Sequence, residues 1–169
     1  MRVRAGKDAG QALILVALAV AVLLGSLALG LDWGYGLTQR RVMQNGADAG
    51  TVAAGNKLAQ SVIAVTSGGA TKYVFAASQE EIFCTADTFA RANNSFAPAG
   101  GTRTTRVEYG VVADPNNAAS WDPPTWVASS VTACTTATST PVNANTRFVR
   151  VRASIQYRAF VAGAVGHPT

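Results

Sequence analysis

Twenty consecutive residues without a charge, ALILVALAVAVLLGSLALGL at positions 12–31, limit what this chain can become more than any other feature. A hydrocarbon core about 30 Å thick takes roughly twenty apolar residues of helix to cross, and a helix pairs its own backbone polar groups inside lipid. The stretch reads as a membrane span. A removable secretory signal would have an apolar core of only ~7–15 residues ending at a small-x-small cleavage site. Leu27-Ala28-Leu29-Gly30 offers no good small-x-small stop before Asp32. A core helix of a soluble protein would show a polar face toward water, and this stretch has none. Arg2, Arg4 and Lys7 precede it, and Arg40 and Arg41 are the nearest basic residues after it, so the bias of basic residues leaves the N-terminus in the cytoplasm. Trp33 and Tyr35 fall where an aromatic belt would meet the far interface.

Four segments follow: a cytoplasmic basic leader at 1–10, a transmembrane helix at 11–32, an extramembrane continuation of that helix at 33–61, and an extracytoplasmic β-rich domain at 62–169. The continuation reads WGYGLTQRRVMQNGADAGTVAAGNKLAQS, rich in alanine and glutamine and free of proline. At 1.5 Å per residue, a helix from Gln11 to near Ser61 would be ~75 Å long. Gly46, Gly50 and Ala54, with Gly30 and Gly34 earlier, recur at fourth positions and make a stripe where another helix can approach closely, including one from a second copy of the chain. The alternative is that these glycines mark kinks or fraying, since each costs up to ~1 kcal/mol relative to alanine.

Only 14% of the residues are charged, and Thr, Ser, Asn, Gly and Ala dominate the second half. That mixture suits an exported β-rich domain better than a cytosolic enzyme. The net charge of +5 is spread without a long run of one sign, so it describes a solvated surface and not a nucleic-acid site. The two cysteines, Cys84 and Cys134, both lie beyond the span. A bridge between them would close a loop worth roughly 4 kcal/mol in the chain-entropy model, and two free thiols are the alternative. Neither belongs to a CxxC pair, which leaves metal and redox chemistry without support.

Leu31-Asp32-Trp33-Gly34, followed by Arg40-Arg41-Val42-Met43-Gln44-Asn45-Gly46-Ala47-Asp48-Ala49, resembles the N-terminal signature of TadE/TadG-like Flp (Tad) pilus-assembly proteins. In that family an apolar helix with a Gly-Gln-Ala-like opening runs into Asp-x-Gly, a basic pair, and a Leu-Gln-Asn-Ala-Ala-Asp-Ala-Ala run. Gly10-Gln11-Ala12-Leu13 matches the opening. The signature positions here are Gly10, Gln11, Asp32, Gly34, Arg40, Arg41, Gln44, Asn45 and Asp48. Met43 and Gly46 stand where Leu and Ala are usual. Members processed like pilins carry a glutamate at the place of Leu15, and its absence turns the resemblance toward the TadG branch of membrane-anchored assembly proteins.

The β-rich part is read from alternation. Residues 148–158, FVRVRASIQYR, put Val149, Val151, Ala153, Ile155 and Tyr157 on one face and Arg150, Arg152, Ser154, Gln156 and Arg158 on the other. Residues 102–113 and 125–134 are two further strands, with turns at Asp114-Pro115-Asn116-Asn117 and Asp122-Pro123-Pro124. Tyr109-Gly110, Trp121-Asp122 and Asn143-Ala144 with Val149-Arg150-Val151 also resemble the C-terminal part of the family. In between, Thr66-Ser67-Gly68-Gly69 is a turn, and residues 79–92 are a short helix with Ile82, Phe83, Ala86, Phe89 and Ala90 on one face. Glu80 and Glu81 would then charge its first turn, where the helix dipole favours them. Arg150, Arg152 and Arg158 are the candidate contact with an acidic partner or phosphate-bearing polymer, against the reading of a charged edge strand that resists aggregation. Trp121 and Trp126, around Pro123-Pro124, are expected to pack in the core over the sheet, with an exposed aromatic contact as the alternative.

The fold class expected is α+β: a long membrane-spanning helix extending out of the bilayer, then a small antiparallel sheet with a short helix, a pilin-like architecture. No catalytic, metal or cofactor constellation is found. His167 lies near the end, and Gly68-Gly69 and Gly100-Gly101 are turn pairs and not phosphate loops. The chain reads as a non-enzymatic membrane component of a Tad-type pilus or related secretion apparatus, with other apparatus proteins as partners. The alternatives are a pilin-like filament subunit released by cleavage after Gly10 and an anchored module that binds a surface polymer.

Overall fold

A computed structural model gives the architecture and describes residues 8–94, 102–134 and 140–156. The class is α+β, with a long apolar N-terminal helix followed by small antiparallel sheets and a short helix. Contacts divide the chain into two units, one running to Thr38 and the other beginning at Gln39.

Helix α1 spans Asp8–Gln60. Leucine and alanine favour helix, and no proline interrupts it. In the first unit the apolar side chains lie open on every side, Leu13, Leu23 and Leu29 among them, and nothing approaches within 4 Å of the places where side chains at Gly25, Gly30 and Gly34 would begin. The hydroxyls of Ser26 and Thr38 donate to the carbonyls of Val22 and Gly34, at 2.8 and 3.0 Å, so neither needs water. Among the described residues, α1 is the one helix long and apolar enough to cross a membrane.

In the second unit the rest of α1 is two-faced. Gln39, Met43, Gly46, Gly50, Ala54 and Leu58 are buried at helical spacing, and Arg40, Arg41, Gln44, Asn45 and Asp48 are exposed. Strands β1 (Val62–Ser67) and β2 (Ala70–Phe75) follow as an antiparallel hairpin. Gly68 and Gly69 have φ of +62° and +80°, the left-handed pair that a two-residue hairpin turn needs.

Helix α2 (Gln79–Ala92) starts where the Ser78 hydroxyl accepts the Glu81 N–H at 3.2 Å. Its buried face is Ile82, Phe83, Ala86 and Ala90. Phe89, expected on that face, is instead half exposed and opens onto a groove that Val52 of α1 also lines. Glu80 differs too: it is buried, and its carboxylate accepts the backbone N–H and the hydroxyl of Thr140, at 2.9 and 2.7 Å. It ties a distant segment to the helix start as well as charging the first turn.

Strands β3 (Thr102–Val111), β4 (Thr125–Ala128) and β5 (Thr146–Gln156) form an antiparallel sheet in the order β4-β3-β5. β4 stops well short of the expected Cys134. After one more backbone bond, from the Ser129 N–H to the Val107 carbonyl at 2.9 Å, the Ser129 hydroxyl donates to the side-chain carbonyl of Gln79 at 3.0 Å. The chain is thereby led to α2, where Cys134 is bonded to Cys84 with 5.2 Å between their Cα atoms. β5 keeps the expected alternation, with Val149 and Val151 turned in and Arg152 and Ser154 turned out. Tyr157 and Arg158 lie outside the described residues.

The core joins Ala54 and Leu58 of α1, Ile82, Phe83 and Ala86 of α2, and Val107, Tyr109 and Val151 of the sheet. At Gly50 the neighbour is backbone. A β-carbon there would lie 2.9 Å from the Ala86 carbonyl oxygen and 3.3 Å from both Ala90 Cβ and Val151 Cγ1. Gly46 meets the Asn94 side chain in the same way. Gly46, Gly50 and Ala54 thus face α2 and β5 of their own chain. The Thr51 hydroxyl adds a polar seal: it accepts the Val151 N–H on the outer edge of β5 at 3.0 Å and donates to the Ala47 carbonyl at 2.8 Å.

Candidate functional site

Two surfaces hold the residues that carry chemistry without serving the core. The first is the exposed side of α1 between Arg40 and Asp48. Because Gln39, Met43, Gly46 and Gly50 turn inward, the helical period carries Arg40, Gln44 and Asp48 into one outward row, with Arg41 and Asn45 beside it. This row offers two cations, two side-chain amides and one carboxylate. Of the other signature positions, Gly34 is exposed and Asp32 is half-buried, while Gly10 and Gln11 lie in the first turns of α1.

The second is the outer face of the three-stranded sheet. Glu108 of β3 is buried there, and three guanidinium groups converge on it: Arg150 donates to its carboxylate in a short hydrogen bond, Arg152 is 3.2 Å away and Arg106 is 3.4 Å away. Burial by itself raises the carboxyl pKa, but the hydrogen bond from Arg150 and then the charges of Arg150, Arg152 and Arg106 outweigh it and hold Glu108 below its ordinary value. The Arg150 guanidinium also stacks on Trp126, 4.0 Å from the ring centre, and Trp121 meets Phe148 edge-on at 6.3 Å. Trp126 therefore sits on the solvent side of the sheet and not in the core.

Glu108 and Arg106 were not singled out from the sequence. The available signal was parity: residues 104, 106 and 108 alternate in phase with 150, 152 and 154 once the two strands are paired antiparallel. Tyr109, on the opposite face, has its phenol pushed up by burial and is a core group that stays protonated. Among the described residues, no group of His, Cys, Asp and Glu converges as metal ligands do.

A long apolar N-terminal helix, whose later part forms one wall of a small disulfide-linked α+β domain, defines the class of fold. Within that class, residues 10–60 match the model of the Tad family, described as Flp pilus-assembly TadE/G-like. The match spans nearly all of α1 and does not separate the TadE from the TadG branch. Comparisons with curated proteins and with solved structures gave no match.

Proposed function

We propose that this chain is a membrane-anchored assembly component of a Tad (Flp) type pilus, closer to the TadG branch, that works by helix association and domain contacts without turning over a substrate. Residues 12–31 span the cytoplasmic membrane with the N-terminus inside, and the part that follows works outside it. The carrying observation is that the polar signature residues Arg40, Arg41, Gln44, Asn45 and Asp48 lie on the exposed side of α1, opposite the side buried in the chain's own domain. Side chains kept off the core and facing outward are free to meet other apparatus proteins.

The test is co-purification from membranes of cells that make the pilus. Arg40→Glu with Arg41→Glu is expected to cut recovery of apparatus proteins by ~10-fold or more while the purified variant melts as the parent does, since reversing two contact charges juxtaposes like charges. Unchanged recovery would remove the helix face from the proposal. Mass measurement of the N-terminus decides between an anchor and a filament subunit: an intact leader fits the missing glutamate at Leu15, whereas a chain starting at Gln11 supports the filament.

A further inference from the structure

The second unit has two ends of unequal charge. Helix α2 runs opposite to α1: Glu81 pairs with Lys57 at 3.8 Å toward one end, and the Asn94 side chain meets Gly46 and Met43 toward the other. β5 also runs opposite to α1, with Val149 against Gly55 and Val151 against Gly50. β3 lies antiparallel to β5, with Thr102 beside Gln156. Residues 39–47, 88–94, 102–107 and 152–156 therefore share the end at which α1 enters the unit.

Those four segments hold Arg40, Arg41, Arg91, Arg103, Arg106 and Arg152 and no Asp or Glu. The opposite end mixes its signs, with Lys57, Lys72 and Arg147 set among Glu80, Glu81 and Asp114. Carboxylates from the middle of the unit answer only some of the arginines. Glu108 takes Arg106 and Arg152, and Asp87 takes Arg91 at 2.6 Å. Among the described residues, Arg40, Arg41 and Arg103 have no carboxylate within ion-pair distance. Like charge gathered in this way repels itself, and a surface of opposite charge relieves it.

We infer that this arginine end rests on anionic lipid headgroups of the membrane that α1 crosses, an inference that rests on the anchored reading proposed above. Arg40 and Arg41 follow residue 31 within ten positions of helix, a rise of about 15 Å. The headgroup layer takes up the first ~5–7 Å beyond the hydrocarbon. Attraction to anionic lipid reaches a further Debye length, ~8 Å at physiological salt, and long arginine side chains extend toward the interface. Connectivity thus keeps the arginine end, and not the mixed end, within range of lipid. The arginines come from two helices and two strands, so they spread as contact with a broad charged surface requires. An acidic protein meets them only by diffusion, whereas α1 holds the membrane beside them at all times. Arg40 and Arg41 belong both to this end and to the outward row of α1, so the test uses the arginines of the sheet.

The experiment places the full chain in lipid nanodiscs, of phosphatidylcholine alone or of an equal mixture with phosphatidylglycerol, and follows amide hydrogen exchange by mass spectrometry. Residues 88–94 and 102–106 should exchange ~3-fold or more slowly in the anionic discs, an effect that high salt removes, while the hairpin at 62–75 exchanges alike in both. Arg103→Gln with Arg106→Gln should abolish most of that slowing. Arg103→Gln alone should abolish part of it and serves if the double variant unfolds. Lys57→Gln with Lys72→Gln removes the same charge from the other end and should leave the slowing unchanged. Equal exchange in the two discs, slowing that survives Arg103→Gln in full, or slowing lost in the lysine variant would each overturn the inference. Polyglutamate that slows the same residues on phosphatidylcholine discs as much as the anionic lipid does would overturn it too, in favour of an acidic protein. A chain that does not enter the discs fails the anchored reading and the inference with it; one that enters and shows no dependence on lipid charge fails the inference alone.

Discussion

Glu108 and Gly50 show how single residues carry this domain. The Glu108 carboxyl is held below its ordinary value of 4.5 in the folded chain, so its contribution is present in full above pH 4.5 and is lost as pH falls through the folded value. Glu108→Gln should therefore lower stability at neutral pH and flatten the acid limb of a plot of stability against pH, read by urea unfolding at a series of pH values below 6. At Gly50 the argument is steric. Gly50→Val is expected to cost about 2 kcal/mol, because its side chain must displace the Ala86 carbonyl and not a flexible tip. Gly34→Val, where nothing stands within 4 Å, should leave the unfolding midpoint of the domain unmoved. Both glycines look alike in the sequence, and what separates them is whether α2 and β5 come to meet them. For the same reason Glu80 was legible as a first-turn charge but not as the acceptor for Thr140, a partner 60 residues away.

At the scale of elements, periodicity was informative wherever one face is buried and the other wet. The bounds of α2 and the alternation of β5 were legible on that ground. The β1–β2 hairpin was not: Val62, Ile63 and Val65 are all exposed, so successive positions carry no contrast and only the Gly68-Gly69 turn stood out. β4 was overextended because its last residues follow a tertiary instruction, the pull toward Gln79 and Cys84 on α2. That link should be measurable. With the cysteines 50 positions apart in the sequence, reducing the bond is expected to remove roughly 4 kcal/mol in the chain-entropy model, seen as a lower urea midpoint in the presence of reductant.

At the scale of the whole molecule, the second unit begins inside a helix. A fragment starting at Gln39 keeps Gly50, Ala54 and Leu58 and should fold as a soluble domain with a cooperative thermal transition. One starting at Val62 lacks that wall of the core and should show no cooperative transition by circular dichroism. The sequence pattern revealed an apolar segment, a polar continuation and a β-rich remainder. It could not reveal that the continuation belongs to the remainder's core, since the pairing of Thr51 with Val151 spans 100 residues. Only α1 carries the family match, while the two surfaces that face outward draw on both ends of the chain.

The bond from Val151 to Thr51 also sets a timetable. The helix is made before β5, so a chain cut short before β5 still has α2 against Gly50 but lacks Val151 over it, and leaves the Thr51 hydroxyl without the strand N–H that it accepts. A copy stopped there is expected to be cut by protease within this helix sooner than the full chain, because part of its inner face has found no sheet.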